Sequence, residues 1–83
     1  MMELKDTINM MSSDNYLERF KAEYWQTKIR YEKLHRMIIK YEAGTIEFTP
    51  TCQIEIYKEQ ARAMGNYLYT LELRAELEDI VLE

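Results

Sequence analysis

Residues that staple, break or loosen a chain are scarce in this sequence of 83 residues: it holds one cysteine, one proline and two glycines, with a single histidine and a single tryptophan. The lone Cys52 cannot close an internal disulfide. Without a CxxC pair or a Cys/His cluster, the sequence offers neither a sulfur staple nor a metal framework, and a reducing compartment fits it best. No apolar run approaches the roughly 18 residues of a membrane span. The first residues, MMELKDTINMM, lack the basic start and apolar centre of a signal peptide. The expectation is a soluble, intracellular chain with no metal, no cofactor and no membrane partner.

Positive charge is also short. The formal net charge of −4 argues against a partner with a polymeric phosphate chain, which usually demands a broadly positive surface. The average hides a split, however. Between residues 14 and 43 lie Arg19, Lys21, Lys28, Arg30, Lys33, Arg36 and Lys40 against five acids, whereas between 51 and 83 only Lys58, Arg62 and Arg74 stand against seven. That asymmetry suits two helices of complementary charge, or a local anion pocket inside an acidic shell.

What is abundant is helical spacing. Leu17, Phe20, Tyr24, Thr27, Tyr31, Leu34, Ile38 and Tyr41 advance by alternating threes and fours, the seam of a helix packed along its length. Ser12, Ser13, Asp14 and Asn15 supply capping oxygens before it, and Gly44 supplies a left-handed stop after it. In the second half Tyr57, Ala61, Met64, Leu68, Leu71, Ala75 and Leu82 share a similar stepping pattern, broken by Glu78. Thr49-Pro50 reads as a helix start. The predicted architecture is all-α, an antiparallel helical hairpin with one helix over 14–43, a connector over 44–49 and a second helix over 50–80. Residues 1–13 form a flexible or short helical segment, with Leu4, Ile8 and Met11 at helical spacing. A chain this small has a thin core, and its aromatics spread over more than one helix face, so other copies are expected to bury the surplus in a symmetric oligomer. Ala61 and Gly65 form a small-xxx-small pair that, with Met64 and Leu68, is assigned to packing between copies.

Catalytic constellations are nearly absent. His35 sits on a helix face beside Leu34, Cys52 has no accompanying base, and Glu72/Glu76 is an ordinary i,i+4 acid pair. The chain reads as a non-enzyme. Three features suit a small anion instead. Thr49-Pro50-Thr51 offers free amides and hydroxyls at a helix start, or simply caps it. Arg74 lies along the seam, where it meets either a ligand or an acid of the first helix such as Glu18 or Glu23. Seven tyrosines and two phenylalanines offer stacking faces, or a tyrosine-rich core.

The run Gln60, Ala63, Met64, Tyr67, Leu68, Leu71 and Arg74, written QxxAMxxYLxxLxxR, resembles the second helix of the small phage helical-hairpin proteins that sequester cyclic-nucleotide immune signals, the anti-CBASS and anti-Thoeris sponges. Glu18-Arg19-Phe20, Glu23, Leu34 and Phe48 agree with it, and the resemblance spans roughly residues 16 to 76. It implies a phage protein in the cytoplasm of an infected bacterium, built from dimers into a hexamer. It also implies that cyclic dinucleotides, cyclic trinucleotides or cyclic ADP-ribose isomers are bound between protomers and left uncleaved. On that resemblance Arg74 holds ligand phosphate, Lys40, Thr45, Thr49 and Thr51 contact ligand around the turn, and Arg19 and Tyr16 are phosphate and base-stacking partners. The alternative is a small oligomeric α-hairpin that binds a host protein through its aromatic surface.

Overall fold

A computed structural model describes residues 2–82. Among these residues the chain is all helical, without strands: a 3-10 turn, Leu4–Thr7, runs into a one-turn helix α1 (Ile8–Met11), followed by two long helices, α2 (Tyr16–Ala43) and α3 (Ile54–Leu77).

Helix α2 starts one residue after its cap. Asn15 has extended backbone angles, and its side-chain oxygen accepts the Leu17 amide at 2.8 Å, satisfying one of the free donors of the first turn. Asn15 is itself held by Ser13, whose hydroxyl accepts the Asn15 amide at 3.0 Å. At the other end Gly44 turns left-handed, with φ 76°. Its amide reaches the Tyr41 carbonyl at 3.1 Å while the Thr45 amide reaches Lys40 at 2.9 Å, the double closure that a residue without Cβ permits.

Helix α3 departs from the expected span at both ends. It begins at Ile54, not at Pro50: the cap position falls to Gln53, which makes no side-chain capping bond, and the Thr51 hydroxyl lies 3.3 Å from the Tyr57 hydroxyl. The connector therefore runs over 44–53, with bends at Glu47-Phe48 and Thr51-Cys52 on either side of Thr49-Pro50. The helix ends at Leu77, short of Ile80. Asp79 adopts φ 59°, a conformation that aspartate tolerates better than most residues, and the Ile80 amide closes back on the Ala75 carbonyl at 2.8 Å. This reversal lays Ile80 and Leu82 against the core, where the Trp25 indole N–H donates to the Leu82 carbonyl at 2.5 Å. Leu82 is thus reached by a returning tail, outside the helical stepping that suggested it.

Contacts between α2 and α3 run in opposite senses along the two helices: Tyr16 meets Glu78, Tyr24 meets Glu72, Tyr31 meets Gly65 and Glu42 meets Lys58. The core between them is Phe20, Tyr24, Leu68, Leu71 and Ala75. Ala22 is 0 % exposed although it lies about 200° round the helix from Phe20, so α2 must be covered on its reverse side as well. The N-terminal segment provides that cover, tied by Arg19 donating to the Ser13 carbonyl at 2.7 Å and by Gln26 donating to the Met11 sulfur at 3.3 Å. The expected helical spacing of Leu4, Ile8 and Met11 is not spent on burial: all three stay exposed, and the residue the segment buries is Thr7, whose hydroxyl is satisfied by the Leu4 carbonyl at 2.7 Å.

The residues assigned to packing between copies are turned inwards. Leu68 belongs to the core with α2 of its own chain, Ala61 and Met64 are half-buried on the same face, and a Cβ at Gly65 would meet the Tyr31 ring at 3.6 Å. Gly65 makes room for an in-chain tyrosine.

Candidate functional site

The candidate ligand residues fall into two groups at opposite ends of the molecule. At one end, the start of α2 meets the end of α3. Arg74 projects from the last turn of α3 across the Phe20 ring, its guanidinium carbon 4.8 Å from the centroid, and covers that end of the core. Its Nη2 donates to the Tyr16 hydroxyl at 2.7 Å and its Nε to Glu78 at 3.3 Å, while the Tyr16 hydroxyl donates to the other Glu78 oxygen at 2.8 Å. Tyr16, Arg74 and Glu78 therefore close a ring of three, and the acid that pairs with Arg74 is Glu78 of its own helix, not Glu18 or Glu23. Two of the five guanidinium N–H donors are used within this ring. Arg19, also near this end, spends a donor on the Ser13 carbonyl and holds the N-terminal segment.

At the other end stand Lys40, Thr45, Thr49 and Thr51. The Thr45 hydroxyl lies against the Lys40 carbonyl at 3.5 Å, Thr51 faces Tyr57, and Thr49 is exposed. Lys40 lines a groove of about 610 Å³ between the reverse side of α2, the N-terminal segment and the connector. Twenty-four residues of helix separate Tyr16 from Lys40, about 36 Å of rise, within a molecule 43 Å long. One chain cannot bring both groups to one ligand.

The motif on α3 divides by burial. Leu68 and Leu71 are buried and Met64 is half-buried, all facing α2. Gln60, Ala63, Tyr67 and Arg74 are exposed, and their spacing of 3, 4 and 7 sets them on one stripe of the helix, continued by Ile56 one turn earlier. Among the described residues Ile56, Gln60, Ala63 and Tyr67 of this stripe stay exposed, and only its Arg74 end is engaged, by Phe20, Tyr16 and Glu78. Sequence spacing alone had merged the two halves, because neighbouring stripes on a helix share the same threes and fours.

On the opposite flank a smaller cleft of about 240 Å³ is lined by Lys28, Tyr31, Gly65, Tyr69 and Glu72, among others. Here the buried Tyr24 donates to Glu72 at 2.8 Å and accepts from Lys28 at 3.3 Å, with the Lys28 ammonium also 5.7 Å from the Tyr24 ring. Burial, followed by the bond to Glu72, raises the Tyr24 hydroxyl above its ordinary value. The bond to Tyr24 raises Lys28 in turn. No feature of the sequence pattern singled out this trio, since Glu72 lies on the other helix, 48 positions from Tyr24 and 44 from Lys28. Among the described residues no group of three or more His, Cys, Asp and Glu side chains could hold a metal ion, and no helix is long and apolar enough to cross a membrane.

The profile of the Sequestin family matches residues 14–77, from the residue before the α2 cap to the last residue of α3. No curated protein and no solved structure matches the chain.

Proposed function

Because the chain belongs to the Sequestin family, whose name denotes sequestration, we propose that it is a phage immune-evasion protein that binds cyclic oligonucleotides or cyclic ADP-ribose-type signals of bacterial CBASS or Thoeris defence and withholds them uncleaved in the host cytoplasm. The observation that carries this reading is the division of the α3 motif: Gln60, Ala63 and Tyr67 are exposed, and they lie in line with Arg74, a cation seated on the Phe20 ring. A cyclic nucleotide presents negative phosphates and flat base faces, and a guanidinium with unused donors beside tyrosine rings is complementary to both. The 36 Å between the two groups of candidate residues supports a pocket completed by a second copy, in which the Arg74 end of one hairpin meets a neighbour. A symmetric oligomer, a hexamer on the resemblance, supplies such pockets in repeated form. Sequestration needs tight, preorganised walls and no catalytic base.

Titration calorimetry with cyclic di- and trinucleotides and cyclic ADP-ribose isomers tests the proposal, with the bound compound recovered by denaturation and identified by chromatography. Tight binding and intact recovery are expected. Absence of binding across the panel overturns the ligand class and favours the interaction-protein reading, for which the exposed Tyr67, Tyr69, Leu73 and Leu77 would be the contact surface. Recovery of a cleaved product overturns the non-enzymatic reading.

A further inference from the structure

We propose that the groove behind α2 is a binding site within a single chain for an elongated amphipathic anion, a carboxylate carried on an unbranched apolar chain. The groove follows the reverse side of α2 from Trp25 to Lys40, about 22 Å of helix, and its volume of about 610 Å³ is in the range of small-molecule sites. Its two ends differ. Near the start of α2 its wall is apolar, made by Trp25 and Ile29 with Met2 and Leu4 of the N-terminal segment. Towards the connector the wall is cationic, with Lys33, Arg36 and Lys40 on one row of the helix, faced by Ile46 and Phe48. An apolar end joined to a cationic end selects a molecule polarised the same way: chain towards Trp25, carboxylate towards Arg36 and Lys40.

The charges bear this out. Lys33, Arg36 and Lys40 make no ion pair or side-chain hydrogen bond among the described residues, whereas Lys5, Lys58, Arg62 and Arg74 each pair with an acid. Three acids share the groove. Over the whole lining the three acids balance the three cations, but Glu3 lies with the apolar end, so the connector end sets Lys33, Arg36 and Lys40 against Glu32 and Glu47 and is the positive end of the groove. Trp25 is a fixed surface, held by the Leu82 carbonyl and edge-on to Tyr24, while Met2 and Met37 can adjust to a chain of variable shape. One wall, residues 2–4, lies outside the span that the family profile covers, and the site needs no second copy. It therefore does not depend on the cyclic-nucleotide reading.

Trp25 is the sole tryptophan, so its emission reports occupancy directly. The full chain is titrated below micelle-forming concentrations with octanoate, dodecanoate and hexadecanoate, and with dodecanol and dodecyltrimethylammonium as neutral and cationic counterparts. The expected result is a saturable change in Trp25 emission with one dodecanoate per chain, and affinity rising by up to about fourfold per buried methylene until the groove is filled. The double variant Arg36→Gln, Lys40→Gln should weaken dodecanoate binding about tenfold, with an unchanged melting curve, because both residues are exposed. Phe48→Ser, on the exposed connector, should weaken it independently. Equal binding of the dodecyl cation, indifference to the double variant, or no saturable change in Trp25 emission would each overturn the site.

Discussion

At the scale of single residues, Arg74 carries two tasks that pull in different directions. Its stacking on Phe20 and its bond to Tyr16 fix the guanidinium in place, but the bond to Glu78 sets a carboxylate beside any anion that approaches. If Arg74 holds ligand phosphate, Glu78 competes with the ligand, and Glu78→Gln should tighten cyclic-nucleotide binding by about two- to fivefold, the range of an exposed ion pair. Arg74→Ala should abolish ligand-induced thermal stabilisation while leaving the mass of the oligomer unchanged; a loss of assembly would make the residue structural. The second residue-scale prediction concerns Tyr24 and Lys28. Both hold their protons more tightly in the folded chain than their ordinary values of 10.0 and 10.5. A raised folded-state value contributes stability that is fully present below the unfolded-state value and is lost as pH rises through the folded-state one. Thermal stability should therefore fall from about pH 10 upwards more steeply than in Tyr24→Phe, which removes the titrating hydroxyl. Parallel melting-temperature profiles for the two proteins would exclude the linkage.

At the scale of elements, the parts most legible in the sequence were those governed by local rules. The α2 seam and its glycine stop could be read from spacing and from the backbone freedom of Gly44: Phe20, Tyr24, Thr27 and Ile38 are buried as that seam requires, while Leu17 and Tyr41 at its two ends stay exposed. The ends of α3 were not legible, because the contacts beside each are made only on folding: the Thr51 hydroxyl beside that of Tyr57, and Asp79 accepting a left-handed conformation so that the tail can reach Trp25. Gly65 shows the same limit. Its cost to the helix was plain, but what it faces, the Tyr31 ring, is a property of the pair of helices. A Cβ there would sit at ordinary contact distance, so Gly65→Ala should remove a helix penalty of about 0.5–1 kcal/mol and raise the melting temperature by a few degrees. Leu71→Ala, at a side chain 1 % exposed in the centre of the core, should cost about 2–5 kcal/mol and unfold much of the population, whereas Leu73→Ala on the exposed side should do little.

At the scale of the whole molecule, α2 and α3 leave several large apolar side chains uncovered. Tyr67, Tyr69, Leu73 and Leu77 are all exposed, Leu77 at 77 %. In the proposed oligomer the surface that meets another copy is the exposed part of the motif: Ile56, Gln60, Ala63 and Tyr67 form a continuous stripe with a small residue at its middle, where a second helix can approach closely. Ala63→Glu places a charge on that stripe without touching the core, since Ala63 is exposed in the single chain. Light scattering coupled to size exclusion should then find a smaller particle than the parent protein, while circular dichroism finds the same helix content. Cyclic-nucleotide binding should fall with the mass, because the proposed pocket is completed by a neighbour. Dodecanoate binding at the groove behind α2 should survive, because that site is complete in one chain. Loss of mass with cyclic-nucleotide affinity retained would place that pocket inside the hairpin. Unchanged mass would move the contact between copies to Tyr69, Leu73 and Leu77, on the outer side of α3.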